Sequence, residues 1–334
     1  MSVEKRTEIP AEGTVDSLGR RLLSSLGRIS DLRLLGVIGL AMIALSLASS
    51  AFFTTRNLSS VGLYWAFVAM AALGQVFVVI VGGIDLSVGS TMGLAGIVTA
   101  SIMADGGNPY IAMAAGLLIG IAVGFFNGFI TAYVGITSFI VTLATLQMVR
   151  GITLGFKQGQ AVSGLPDWFL QLGTRPILGV PIPIWMMAGL AVIVWLALSR
   201  TAQGRDFYAI GSNRVAAGLS GVRVKRRTMI AFGMSGFFAA LAGVMITARL
   251  GSAVPNAGVG MELTVIAAVV IGGASLSGGK GTALGVLLGA LLISLVNNAL
   301  VLLSVPTYWQ QTFIGAVILI AAMFDLIRRQ SRTA

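Results

Sequence analysis

Arg200-Thr-Ala-Gln-Gly-Arg-Asp-Phe-Tyr-Ala-Ile-Gly-Ser-Asn-Arg-Val-Ala-Ala-Gly-Leu-Ser-Gly-Val-Arg-Val-Lys-Arg-Arg227 places seven basic residues between long apolar runs, and its position decides how the chain is threaded. Six apolar runs precede it, at 34–53, 61–81, 88–104, 110–134, 138–156 and 182–199. Four follow, at 228–248, 263–274, 282–303 and 309–327. A spanning helix needs about 20 apolar residues, and most of these runs have that length. The run at 263–274 is too short, so it either continues into 275–281 or is a half-helix. Basic residues cluster in three places: six in the first 33 residues, seven in 200–227, and Arg328, Arg329 and Arg332 at the end. Lys and Arg collect on the cytoplasmic side of membrane proteins. Even numbers of spans separate the three groups, so all three share that side. The expected fold is all-α and polytopic, with about ten transmembrane helices and both termini cytoplasmic. Residues 1–33 form an N-terminal cytoplasmic segment, 34–327 the membrane domain with 200–227 as its main cytoplasmic loop, and 328–334 a tail.

Composition agrees. The chain has 334 residues, 56% of them hydrophobic and only 10% charged, with a mean hydropathy of +0.94. A soluble domain carries about 25% charged residues, so this chain cannot cover a water-facing surface. It contains no cysteine and no histidine. That excludes disulfides, thiolate nucleophiles, Cys/His metal sites and histidine-based triads. The net charge of +11 would suggest nucleic acid in a soluble protein. Here the basic residues sit at span ends, so the expected contact is membrane lipid and not nucleic acid. The first 33 residues are too acidic for a signal peptide, with Glu4, Glu8, Glu12 and Asp16. Leu18, Leu22, Leu26 and Ile29 recur at helical spacing, which fits either an amphipathic surface helix or a disordered polar tail.

Several motifs bear on packing and transport. Gly116, Gly120, Gly124 and Gly128 stand four apart with Ala112, a stripe that lets helix backbones approach closely. Val81-Gly-Gly-Ile-Asp-Leu-Ser-Val-Gly89 resembles Ile271-Gly-Gly-Ala-Ser-Leu-Ser-Gly-Gly279, an internal repeat expected to be parallel. In the first copy, Gly83, Asp85 and Ser87 break an apolar run. They mark either a discontinuous helix along a pathway or a plain helix cap. Glu262, Asn127, Asn297 and Asn298 are sparse polar groups in apolar helices. They suit hydrogen bonding to a passing solute or ties between helices. Arg150 and Arg249, near span ends, are expected to reach toward the headgroups. Gly272–Gly281 contains Gly-Gly-Lys-Gly but fails the phosphate-loop pattern at Ala274 and Gly281, so no nucleotide site is expected in this chain. The loops 157–181 and 249–262 fall on the outer side.

The 200–227 stretch also looks built for docking. Ser212 or Asn213 can cap a short helix to Leu219, with Gly218 or Gly221 ending it, and Ala216 and Ala217 offer a small flat surface. An ordinary loop is the alternative.

These pieces together resemble a known family. Gly83-Ile-Asp-Leu-Ser-Val-Gly89, Thr142-Leu-Ala-Thr-Leu146 with Arg150-Gly151, Ala209-Ile-Gly-Ser-Asn213 through Leu219-Ser-Gly-Val222, and Ala268 to Gly281 are similar to the permease subunits of ribose-type ABC sugar importers. That group includes the ribose, xylose, arabinose and autoinducer-2 permeases, and the resemblance covers about residues 35–328. It implies a ten-helix type II importer fold and sugar import from a periplasmic binding protein. It implies a cytoplasmic ATPase, typically with two fused nucleotide-binding domains, that uses ATP with Mg while this chain binds no cofactor. It also implies a second permease subunit, identical or closely related. Gly211, Asn213, Ala216, Ala217, Leu219, Ser220 and Gly221 would couple to the ATPase. Gly83, Asp85, Ser87, Asn127, Glu262, Asn297 and Asn298 would line the pathway or its helix breaks. The rival reading is an ion-gradient-driven transporter of a small polar solute, disfavoured by the scarcity of carboxylates in the spans.

Overall fold

The computed structural model describes residues 15–306 and scattered positions from 309 to 319, with side chains from residue 32 onward. The amphipathic pattern at 18–29 therefore has its backbone described but not its side chains. Most of the run at 309–327, the tail and residues 1–14 lie outside the described residues.

Among the described residues twelve continuous α-helices run in order: α1 Val15–Ala48, α2 Thr55–Ile80, α3 Val88–Ala104, α4 Pro109–Phe129, α5 Ser138–Phe156, α6 Asp167–Thr174, α7 Ile182–Arg200, α8 Ala202–Ser212, α9 Arg214–Leu219, α10 Val224–Leu250, α11 Met261–Ile271 and α12 Ala283–Leu302. A π-helical turn, Ile130–Val134, extends α4, and a small hairpin pairs Pro176–Ile177 with Val180–Pro181. Among the described residues six helices are long and apolar enough to cross a membrane, and α3, α11 and the Leu32–Ala48 part of α1 are shorter apolar helices. The chain is a helical polytopic membrane protein.

Boundaries differ from the sequence reading in informative places. The first span ends at Ala48, and α2 begins at Thr55, six residues early. Thr54 Oγ1 accepts the Asn57 N–H and caps α2, so the polar run before residue 61 is the first turns of the helix. The short eighth span does not continue into 275–281. α11 has 11 residues, about 16 Å at 1.5 Å per residue, half of a bilayer core about 30 Å thick. The loop 157–181 holds a further short helix, α6, whose Gly173 meets the backbone of Ala248 and Arg249 so closely that a Cβ would not fit.

α2 and α10 form the centre, wrapped by α3, α4, α7, α11 and α12. α10 and α4 make the most extensive helix pair. The glycine stripe is the reason. A Cβ at Gly120 would collide with the Gly236 carbonyl and the Ala240 Cβ, and one at Gly124 with the Phe232 carbonyl. Lipid tails are as apolar as these helices, so close backbone packing, and not expulsion of apolar surface from water, holds such a crossing together.

The repeat has a structural counterpart. Gly82, at φ +80°, ends α2 with bonds Gly83 N–H to Val78 O at 2.8 Å and Gly82 N–H to Val79 O at 3.0 Å. Gly273, at φ +87°, ends α11 with Ala274 N–H to Val269 O at 3.1 Å and Gly273 N–H to Val270 O at 2.9 Å. Both are Schellman turns on a left-handed glycine, shifted by one residue relative to the sequence alignment. The copies are parallel and adjacent: Gly279 N–H donates to Ile80 O at 2.8 Å.

Candidate functional site

At the basic end of the bundle, α8 and α9 form a bent projection. Thr201 Oγ1 accepts the Gly204 N–H at 3.0 Å and starts α8. Asn213 starts α9, its Oδ1 accepting the N–H of Val215 at 3.1 Å and of Ala216 at 3.0 Å. Gly221, at φ +85°, closes α9 with a Schellman turn to Gly218 and Ala217. The helix drawn from the sequence is therefore present, capped by Asn213. Its outer face differs from the flat alanine surface expected. Ala217 turns inward and is 5% exposed, joining the main core, whereas Val215 is 74% and Leu219 87% exposed. Ala216, Gly218 and Ser220 are exposed beside them. Val215, missed in the sequence reading, is legible there: it lies four residues before Leu219, hence on the same helix face.

Gly211 is the hinge side of this projection, not part of the outer face. A Cβ there would collide with the Ile80 carbonyl and the Gly279 backbone. Tyr208 donates its hydroxyl to Gly281 O at 2.7 Å, and burial pushes its phenol up to about 12. The projection thus rests on both Schellman turns. Arg227 Nε pairs with Asp206 at 2.8 Å. A cleft of about 450 Å³ lined by Asp206, Ser220, Arg223, Arg226 and Arg227 lies beside α9.

The break after α2 is a re-entrant segment. From Gly82 the chain turns back along α2 and delivers Asp85 to the level of Gln75, both reaching Ser235 on α10. Asp85 is 1% exposed. Its carboxylate accepts the Ser87 N–H at 2.9 Å, the Ser87 hydroxyl at 2.6 Å and the Ser235 hydroxyl at 2.8 Å. Asn127 Nδ2 donates to Ser87 Oγ at 2.9 Å. Asp85 does not cap α3 in the usual way: Ser87 occupies the cap position and its side chain makes no capping bond. The cluster joins α2, the re-entrant segment, α4 and α10 in one network, with Gln75 Nε2 and Asn127 Oδ1 buried and unpartnered among the described residues. Gly83 is buried against Val78 and Phe232.

The starts of α3 and α11 meet in the interior. Gly89, in the first turn of α3, is in backbone contact with Gly258, just before α11. Glu262 sits between the two helix starts. Its Oε1 accepts the Gly260 N–H at 3.2 Å, and its other oxygen is buried against Gly89. A carboxylate at the positive ends of two helices is electrostatically well placed. Arg150 does not reach outward to headgroups. It turns inward, donating to Ala257 O at 2.9 Å and Pro255 O at 3.3 Å, with its charge acting on Glu262. Asn298 and Asn57 exchange amide bonds of 2.7 and 3.2 Å. That tie joins α12 to α2, while Asn297 is only half-buried and takes no part in it.

The expected pathway residues thus fall into three separate groups: Asp85, Ser87 and Asn127 in one network, with Gly83 beside it; Glu262 with Arg150; and Asn298 with Asn57.

Comparison with known proteins gives the setting for this arrangement. Residues 57–322 match a family described as branched-chain amino acid transport system / permease component. The chain belongs to this permease family. The permease is 39% identical to the ribose import permease protein of Haemophilus influenzae over 312 residues, 92% of this chain and 94% of that one. It is 39% identical to the D-allose transport system permease protein of Escherichia coli over 281 residues, 84% and 86% of the two chains. It is 38% identical to the autoinducer 2 import system permease protein of Salmonella choleraesuis over 256 residues, 77% and 74% of the two. The resemblance drawn from the sequence is borne out. The permease is a multi-pass transport component of an ABC-type import system in the inner membrane.

Proposed function

We propose that the permease carries a pentose- or hexose-type sugar from a periplasmic binding protein to the cytoplasm, driven by a separate cytoplasmic ATPase. The observation that carries this reading is α9, a capped helix that presents Val215 and Leu219 to solvent at the basic end of the bundle. Exposed apolar side chains on a rigid, polar-flanked projection are suited to insertion into a partner's groove. The sugar assignment draws on the ribose, allose and arabinose relatives.

In this reading ten spans cross the membrane, with 309–327 as the tenth, and both termini are cytoplasmic. A second permease subunit completes the pathway. The ATPase carries two fused nucleotide-binding domains and uses ATP with Mg, and the permease has no nucleotide site of its own. When ATP closes the ATPase, movement of α9 passes through Gly211 to the end of α2 and to the turn between α11 and α12. The three polar groups keep helices in register during that movement, and Asp85 serves as a lock of the re-entrant segment. Specificity lies mainly with the binding protein.

The test is Leu219→Arg. A charged side chain on an exposed position leaves folding unchanged, but it places an unpaired charge in the docking groove. In reconstituted vesicles with the ATPase and binding protein, sugar uptake should fall at least about ten-fold, a docking loss of about 1.4 kcal/mol or more. Uptake at the normal rate would reject α9 as the docking element. Uptake that continues without the ATPase and collapses with an uncoupler would reject the importer reading itself.

A further inference from the structure

A cavity of about 560 Å³ opens at the basic end, away from α9's outer face, between the turn after α2, the π-helical turn after α4 and the start of α10. Two cations, Arg214 and Lys225, line it, and no acidic residue does. The first turns of α5 and α10 line it through Ser138, Val224 and Lys225, and neither cap side chain, Thr137 or Arg223, makes a capping bond. Thr131, on the π-helical turn, also lines it. Lys225 Nζ stands 5.5 Å from the ring centroid of Tyr133 at the mouth. Arg214 is held by Thr228 at 3.4 Å. Two cations with no carboxylate opposite them, beside the positive ends of two helices, form an anion site.

The surroundings indicate which anion. Val134, Ile136, Phe139 and Ile140, with Tyr133, are exposed around the mouth. These are the residues that would meet acyl chains, with the cavity at headgroup level. We infer that this cavity binds the phosphate-diester headgroup of an anionic phospholipid of the inner leaflet, its acyl chains lying on the Tyr133–Ile140 surface. Basic pockets between transmembrane helices on the cytoplasmic side are the physical form such sites take. The leaflet rests on the orientation proposed above; the headgroup chemistry does not.

The test uses the full chain purified in a neutral detergent and read by native mass spectrometry. Phosphatidylglycerol is titrated against phosphatidylcholine and against glycerol phosphate. Phosphatidylglycerol should bind in preference to phosphatidylcholine. The exposed double variant Arg214→Gln/Lys225→Gln should weaken it roughly ten- to thirty-fold, and Arg214→Lys/Lys225→Arg should restore it. Millimolar glycerol phosphate should not displace it, because the acyl contacts are missing. Equal binding of the two lipids, or unchanged binding by the glutamine variant, would overturn the proposal. Displacement by glycerol phosphate would assign the cavity to a free phosphate instead. Detergent has no sides, so this assay is blind to orientation. Orientation is read separately by labelling a single cysteine at Val215 in intact and opened cells, a clean probe because the chain has no cysteine of its own.

Discussion

Gly128→Ala tests the claim that α4 and α10 are held by backbone contact. A Cβ at Gly128 would lie 2.7 Å from the Met229 Cα, 2.9 Å from the Met229 carbonyl and 3.1 Å from the Phe232 Cβ. None of these atoms can move by a rotamer change. Ordinary contact begins near 3.4 Å, so the helices must part by about 0.7 Å, and a gap of that size forfeits roughly a quarter to a half of each neighbouring dispersion contact. Overpacking of this kind costs about 1–3 kcal/mol. A loss of about 2 kcal/mol lowers the melting temperature by about 3 °C in a chain of 334 residues. Gly151→Ala on α5 is the matched control: nothing lies within 4 Å of a Cβ there, and the loss of helical glycine should stabilise by about 0.5–1 kcal/mol. The assay is thermal unfolding of the purified chain in detergent, followed by tryptophan fluorescence. Equal melting of Gly128→Ala and wild type would refute the argument, as would a fall of the same size in Gly151→Ala.

Other outcomes follow from the same geometry. Asn298→Ala removes one half of a reciprocal amide pair and should cost about 1–2 kcal/mol, measured by the same melt; Asn57→Ala in the same background should add little, because the two groups act as one. Tyr208 has its phenol raised from 10.0 to about 12 by burial. The unfolded chain therefore ionises first, so this group's stabilisation is intact below pH 10 and is lost between about pH 10 and 12; tyrosinate absorbance should show a late-titrating component, and Tyr208→Phe should diminish it by one residue's worth. Ala217→Arg should lower the melting temperature more than Leu219→Arg, because one side chain faces the core and the other faces water; equal melts would mean that α9 is rolled differently on its base.

Much of this architecture is legible in the sequence because hydrophobic runs and basic clusters are one-dimensional signals. The α3 and α5 bounds and the end of α9 agree with the reading, and so does the Asn213 cap, because caps are local chemistry. What is not legible depends on contacts across the chain. Asn57 reads as a loop residue until its partner Asn298, 241 positions away, is beside it. Asp85 reads as a pathway or cap residue because nothing local indicates Ser235 and Gln75. Arg150 reads as a headgroup residue because a position near a span end says nothing of the carbonyls at 255 and 257. Ala217 and Leu219 look equally exposed in a polar stretch, and only the seating of α9 on its base separates them.

The meeting of Gly211, Ile80 and Gly279 has a mechanical consequence. Side chains are the compliant parts of a protein: they change rotamer and absorb small displacements. Here three main-chain segments touch with no side chain between them. The joint therefore behaves as a stiff coupling with little slack, and a shift of one segment appears in the others nearly undiminished. Inserting even a methyl group would separate the parts and introduce play, so the size of the residue at position 211 sets how much of a displacement survives the crossing.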